Sequence, residues 1–97
     1  MALIEACVFT RKRWVLEKML AFGFQQVGDD YVIERSFLNG DFEAILTVTE
    51  KGMVTGRVID AISHEEYYQL RQKNATGAYV NTVRAAYEEL LEAVAAA

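Results

Sequence analysis

Proline is absent from this chain, and cysteine and histidine each occur once. Without proline, and without any Gly/Ser-rich stretch, the sequence contains no candidate linker, so we expect a single domain over residues 1–97. A single cysteine cannot form an internal disulfide, and one cysteine with one histidine cannot supply the usual ligands of a structural zinc site. The chain is therefore expected to be held together by a hydrophobic core of its own.

Long apolar runs and a basic excess are missing as well. The longest apolar runs fall far short of the ~20 residues that a membrane-spanning helix needs. Glu5 interrupts the N-terminal apolar stretch ahead of the basic cluster, which is the wrong order for a secretory signal. Fourteen acidic and ten basic side chains give a net charge of −4, which disfavours generic binding to nucleic acid. Because Cys7 has no possible disulfide partner within the chain, a cytoplasmic, reducing location is expected.

The strongest local signal in the chain is Asn39-Gly40, which lies between two stretches of strand-forming residues. A type I′ turn needs positive φ at both central positions, and Asn-Gly meets that need well. We therefore predict a β-hairpin of strands Tyr31–Leu38 and Asp41–Glu50 in which Phe37 pairs with Phe42. One face of this hairpin is apolar apart from Arg35, and it carries Tyr31, Ile33, Phe37, Phe42, Ala44, Leu46 and Val48.

A third predicted strand, Met53–Ala61, follows a loop at Glu50-Lys51-Gly52 whose glycine takes the left-handed bulge position. This loop pairs Leu46 with Gly56, whereas a loop shorter by one residue would bring Arg57 onto the core face. The opposite sheet face then carries apolar residues among polar ones, which predicts a surface for a protein partner or for self-association. The residues expected to form this interface are Val32, Ile45, Met53, Arg57 and Ile59.

Residues 11–22 have the apolar spacing of an amphipathic helix, and Gly23 is placed to end it, with Phe24 making the closing hydrophobic contact. The start of this helix stays open, because Thr10 can act as its N-cap or the helix can begin near Ala2. The first alternative puts three cations at the positive end of the helix dipole, which costs roughly 0.3–1 kcal/mol per exposed charge. The second alternative avoids that cost.

Two further helices are predicted after the sheet. Ser63-His64-Glu65-Glu66 has the form of a capping box and predicts a helix through about Lys73. Asn74 suits the end of that helix, and Thr76 can cap a last helix that runs to the C-terminus. The apolar positions of the last helix have heptad-like spacing, at Val80, Val83, Tyr87, Leu90 and Val94. The predicted fold is α+β, a three-stranded antiparallel β-meander with helices packed on one face, in the order α-β-β-β-α-α.

Two stretches of the sequence, Phe37-Leu38-Asn39-Gly40-Asp41-Phe42 and Asn74-Ala75-Thr76-Gly77-Ala78-Tyr79-Val80, carry a family resemblance. They resemble the N-terminal domain that precedes the MmcQ/YjbR-type domain in some Gram-positive bacterial proteins. Residues 20–24 and 83–89 support the likeness, which covers most of the chain after about residue 18. The resemblance implies that this chain is related to that N-terminal domain and shares its fold. The DNA-binding designation of that family belongs to the MmcQ/YjbR-type domain itself, so no residue of this chain inherits it.

An acidic group at one end of the sheet is the clearest candidate for chemistry. The predicted register brings Asp60 opposite Phe42, and therefore close to Asp41 and Glu43, with His64 following in the chain. Such a group can bind Mg²⁺ or Ca²⁺ through oxygen atoms or transfer protons. The simpler interpretation is a solvated sheet edge, because a site also needs a pocket and perturbed pKa values.

The basic segment Arg11-Lys12-Arg13 is a candidate for contacts with phosphates, and the adjacent Trp14 is a candidate for stacking on a base. The acidic balance of the chain favours the alternative, in which Trp14 belongs to the core. Cys7 is expected to be a small buried hydrophobic residue and not a nucleophile. The six glycines form neither G-x-G-x-x-G nor a P-loop, so no cofactor is predicted.

These observations favour a small cytoplasmic, non-catalytic module for protein interaction or oligomerisation. The alternatives are an accessory nucleic-acid-binding domain that uses the basic segment, and a divalent-metal-dependent enzyme at the acidic group.

Overall fold

Four antiparallel strands form one sheet in the order of the sequence, β1-β2-β3-β4. The computed structural model describes residues 4–9, 12–72 and 77–96, with the side chain of Cys7 outside this description. The elements are α1 (Ile4–Val8), α2 (Leu16–Phe22), β1 (Gln25–Val27), β2 (Asp30–Phe37), β3 (Phe42–Val48), β4 (Val54–Asp60), a 3₁₀ helix (Tyr68–Arg71) and α3 (Ala78–Ala95). The α+β class and the antiparallel sheet are confirmed. The predicted number of strands is wrong by one.

The turn between β2 and β3 is the predicted one. Asn39 and Gly40 have φ of 57° and 86°, and the Asp41 N–H donates to the Leu38 carbonyl over 3.1 Å. Phe37 pairs with Phe42, and the predicted register holds along the whole hairpin. The local turn chemistry therefore determines which side chains face the core.

The turn between β3 and β4 is also confirmed. Gly52 has φ of 83°, and its N–H donates to the Thr49 carbonyl over 2.8 Å, so the loop is the longer of the two alternatives. Leu46 pairs with Gly56, as predicted. Arg57 consequently lies on the face away from the core.

The strand that sequence reasoning missed is β1. It pairs with β2 through Gln25↔Val32 and Val27↔Asp30, around a turn in which Gly28 has φ of 63°. Strand β2 begins at Asp30, one residue before the predicted start at Tyr31. All three residues of β1 are exposed, so burial imposed no apolar alternation on them.

The helix predicted over residues 11–22 is shorter. Helix α2 begins only at Leu16. Residues Lys12–Val15 are not helical, and the backbone of Val15 is extended, with φ of −114° and ψ of 117°. A separate short helix, α1, precedes it. The predicted helix end is confirmed, since the Phe24 N–H donates to the Met19 carbonyl over 3.0 Å in the Schellman pattern. The two alternatives for the start of this helix depend on residues that lie outside the described ones, namely Ala2, Thr10 and Arg11.

The helix predicted from Ser63 through Lys73 is wrong. Asp60 accepts hydrogen bonds through Oδ1 from the N–H groups of Ile62 and Ser63, at 2.8 and 3.2 Å, and turns the chain back. Glu66 then forms an isolated antiparallel bridge with Ile59, and among the described residues 63–72 only the single turn Tyr68–Arg71 is helical. The Asp60 side chain thus competes successfully with the capping box. The predicted caps Asn74 and Thr76 lie outside the described residues.

The core lies between the inner face of the sheet and α3. Helix α3 buries Val83, Tyr87, Leu91 and Val94, so the heptad-like prediction is confirmed for most of its positions. The rings of Phe37 and Tyr87 lie 6.0 Å apart, which joins β2 to this helix. From the sheet, the most deeply buried apolar residues are Ile33, Phe42, Ala44, Leu46, Val48 and Val58.

Candidate functional site

The face of the sheet that points away from α3 carries apolar and charged residues side by side. Because side chains alternate along each strand, the register places one set of residues on this face. We call it the open face and define it by the three rows Val32, Thr47 and Thr55; Glu34, Ile45 and Arg57; and Ser36, Glu43 and Ile59. Its apolar members are partly buried by their neighbours, and they do not belong to the cluster of core residues. In the described part of the chain, the helices pack on the other side.

Charge is ordered across the middle of the open face. Glu34 pairs with Ile45, and Ile45 pairs with Arg57, so an acidic, an apolar and a basic residue lie side by side on β2, β3 and β4. The Nε of Arg57 donates to Oε1 of Glu66 over 2.6 Å. This hydrogen bond and the charge of Glu66 raise the pKa of Arg57. The ion pair with Glu66 therefore holds the guanidinium beside Ile45.

Four of the five residues predicted as an interface lie together on the open face: Val32, Ile45, Arg57 and Ile59. Met53, which is 66% exposed, lies instead in the loop before β4. Its amide donates to Oγ1 of Thr49 over 3.1 Å, and the residue borders a cleft of about 190 Å³ that Phe9 also lines. Met53 therefore lies outside β2, β3 and β4, whose residues define the open face.

Strand β1 extends the open face in a way that sequence reasoning missed. Gln25 lies beside Val32, and Val27, which is 59% exposed, lies on the same side of the strand. Together with Glu34 they line a shallow cleft of about 350 Å³. The only sequence signal for this extension is Gly28, whose turn allows β1 to pair with β2.

The acidic group is not assembled into a metal site. Oδ1 of Asp60 is engaged by the two backbone amides of the turn that follows β4. Asp41, Glu43 and His64 are exposed. Within the described residues, no three side chains of the types that ligate metals lie close enough to hold an ion. Asp60 thus acts as a turn-forming residue.

A buried polar cluster on the inner face was not anticipated from the sequence. Glu5, from α1, is fully buried, and its Oε1 accepts a hydrogen bond from Arg71 over 2.7 Å, while its Oε2 accepts one from the Tyr87 hydroxyl over 3.0 Å. Arg71 also donates to the Gly56 carbonyl over 2.9 Å. A Cβ on Gly56 would overlap with the Tyr87 hydroxyl. The absent side chain at position 56 therefore makes room for the cluster.

The electrostatics of this cluster are those of a closed structural network. Burial raises the pKa of Tyr87 far above its ordinary value, and the charge of Glu5 adds to the rise. Burial alone would lower the pKa of Arg71, but the hydrogen bond and the charge of Glu5 outweigh it and leave the pKa of Arg71 raised. Each carboxylate oxygen of Glu5 has a donor, so the cluster is satisfied from within the chain.

The basic segment does not present Trp14 as a free platform for a base. The Trp14 ring lies 5.4 Å from the ring of Phe9 and 5.8 Å from that of Phe24, and the Lys12 ammonium lies 5.4 Å from its centroid. Trp14 therefore packs against the core, which is the alternative that the acidic balance of the chain favoured. Arg13 is exposed, and Arg11 lies outside the described residues.

Comparison with known proteins gives no relative. No protein-family model, no curated protein and no solved structure matches the chain. Across residues 4–9, 12–72 and 77–96, no helix has both the length and the apolar character needed to cross a membrane. Function therefore has to be inferred from the geometry of the chain itself.

Proposed function

We propose that this chain is a non-catalytic protein-interaction module that binds through the open face of its sheet. The observation that carries the proposal is the position of Val32, Ile45 and Ile59 on one sheet face outside the core cluster. Apolar side chains grouped on a solvated sheet face are typical of a surface that another protein covers.

The charges around these residues support a specific contact. Arg57, anchored by Glu66, lies on one side of Ile45, and Glu34 lies on the other. Arginine is enriched at protein interfaces, and a side chain that is already held in place loses less entropy when a partner binds. The open face therefore combines an apolar centre with charged residues that can orient a partner.

A non-catalytic role is supported by the way the reactive groups are used. Glu5 accepts hydrogen bonds from Arg71 and from the Tyr87 hydroxyl, one on each carboxylate oxygen. Asp60 accepts a backbone hydrogen bond that stabilises a turn. The cysteine content favours a reducing, cytoplasmic location. Kinship with the domain that precedes the MmcQ/YjbR-type domain is part of the same proposal, and its support is the likeness of residues 37–42 and 74–80.

The test compares two matched substitutions. Ile45→Glu puts a charge at the centre of the open face, and Ile62→Glu makes the same change at an 81% exposed position in the turn after β4. Each purified variant is assayed for self-association by sedimentation and for retention of other proteins by affinity capture, after circular dichroism has verified folding. Associations that Ile45→Glu abolishes and Ile62→Glu preserves support the proposal. Associations that both variants preserve contradict it.

A further inference from the structure

The order of charges across the open face is self-complementary. Glu34, Ile45 and Arg57 lie in one row on adjacent strands, with Ile45 in the middle. We propose that the partner of the open face is a second copy of this chain, stacked sheet against sheet about a two-fold axis parallel to β3. This inference rests on the proposed function, since it names the partner of the same face.

The axis follows from the charges. Rotation about an axis parallel to β3 keeps each row in place and exchanges the positions of β2 and β4 across the interface. Glu34 of each copy then faces Arg57 of the other, and Ile45 faces its own counterpart. A two-fold axis across the strands would instead set Glu34 against Glu34 and Arg57 against Arg57, and like charges in contact are destabilising.

Arg57 can take part in this contact while it remains bound to Glu66. Its Nε donates to Glu66 over 2.6 Å, and a guanidinium has four further N–H donors on its two Nη atoms. Since Glu66 restricts the side chain, part of the entropy cost of ordering Arg57 is met before the second copy arrives. The intramolecular ion pair therefore prepares Arg57 for the intermolecular one.

With one exception, no other residue of the open face meets a like charge across this axis, and Ile59 faces Ser36 of the second copy. Val32 faces Thr55 of the second copy, because these residues lie in one row on β2 and β4. Thr47, on β3, faces its own counterpart. Glu43 is also on β3, so the axis brings two Glu43 carboxylates together at one end of the interface. The dimer is therefore expected to become stronger when the charge of Glu43 is removed.

The size of the face limits the strength of the dimer. Three strands about 4.8 Å apart and about seven residues long cover roughly 300 Å² per copy, at ~3.3 Å per residue. A standard stable interface uses about 800 Å² per partner. The dimer thus belongs to the weak and transient class, with a dissociation constant expected between about 10 µM and 1 mM.

The experiment is sedimentation of the full chain up to millimolar concentration, followed by charge exchange. Glu34→Arg and Arg57→Glu are each expected to weaken self-association at least about tenfold, because each sets like charges against one another. An equimolar mixture of the two variants is expected to associate again, since position 34 of one is basic and position 57 of the other is acidic. Glu43→Gln is expected to strengthen the wild-type dimer, and Glu17→Arg, an exposed charge reversal on α2, is expected to leave it unchanged.

Arg57→Glu also breaks the ion pair with Glu66, so recovery in the mixture is the deciding result. Failure of the mixture to associate, in variants that circular dichroism reports as folded, overturns the axis. If the chain stays monomeric at millimolar concentration, the proposal that its partner is a second copy is refuted. If such a monomer captures another protein and Ile45→Glu abolishes that capture, the proposed function stands and only the dimer is refuted. If Ile45→Glu abolishes no association at all, the dimer and the proposed function are both refuted.

Discussion

The Tyr87 hydroxyl donates a hydrogen bond to Oε2 of Glu5 over 3.0 Å, although 82 positions separate the two residues in the sequence. With Arg71 on the other oxygen of Glu5, the bond joins α1, the 3₁₀ helix and α3 above Gly56.

Tyr87→Phe removes one donor from a fully buried carboxylate and should lower the free energy of unfolding by about 1–3 kcal/mol. The measurement is urea denaturation at neutral pH. Tyr68→Phe is the matched control, because Tyr68 is 61% exposed and the same change there should shift stability by less than about 0.5 kcal/mol. Equal effects in the two variants would contradict the role given to the Tyr87 hydroxyl.

Gly56→Ala should be destabilising, because the new Cβ overlaps with the Tyr87 hydroxyl and lies 3.1 Å from Cδ2 of Leu46. Overpacking of this kind typically costs about 1–3 kcal/mol. The double variant Gly56→Ala/Tyr87→Phe should lose less than the sum of the two single variants, since deletion of the hydroxyl makes room for the methyl group. Strict additivity in urea denaturation would show that the two positions do not compete for space.

Arg71→Met leaves Glu5 buried without its cation and should cost about 3–5 kcal/mol. Glu5→Met/Arg71→Met should be less destabilising than Arg71→Met alone, because no uncompensated buried charge remains in the double variant. Arg13→Met, at an exposed position, serves as the control. A double variant that is less stable than Arg71→Met would refute this interpretation of the ion pair.

Stability should fall at alkaline pH, and Tyr87 should account for part of the fall. Burial raises the pKa of folded Tyr87 above the ordinary value of about 10 that it has in the unfolded chain. Its contribution is therefore complete below pH ~10 and is lost as the pH rises further, because only the unfolded chain then releases the proton. Urea denaturation between neutral and strongly alkaline pH should show the stability difference between wild type and Tyr87→Phe shrinking above pH ~10. A difference that stays constant would contradict the shift.

Asp60→Ala should lower the free energy of unfolding by about 1 kcal/mol, through loss of the two turn hydrogen bonds that its Oδ1 accepts. Addition of Mg²⁺ or Ca²⁺ should not change the melting temperature of wild type or variant. Stabilisation of wild type by either ion, lost in Asp60→Ala, would restore the metal-dependent alternative.

The sheet was predictable because its register is encoded locally. Asn39-Gly40 and Gly52 each fix a turn by their backbone preferences, and the two turns then assign every side chain of β2, β3 and β4 to a face. Val32, Ile45, Arg57 and Ile59 were grouped correctly for that reason. Met53 precedes β4 and lies outside the paired residues, so the alternation of the strand does not assign it to a face.

The remaining elements depend on contacts that a local pattern does not contain. Strand β1 is short and exposed, so no periodicity marks it. The capping-box sequence at Ser63 was outweighed by Asp60, which precedes it and folds the chain back along β4. Glu5 was interpreted as an interruption of an apolar stretch, because its partners Arg71 and Tyr87 are 66 and 82 positions away.

The burial of Glu5 has a consequence for the order of folding. A helix as short as α1, five residues, is not stable by itself, and its contacts with α3 and β4 close very long loops. The hairpins, whose contacts are local, can form without it. Helix α1 should therefore dock last and detach first, and its amides should exchange with solvent through partial openings while those of β3 exchange only on global unfolding.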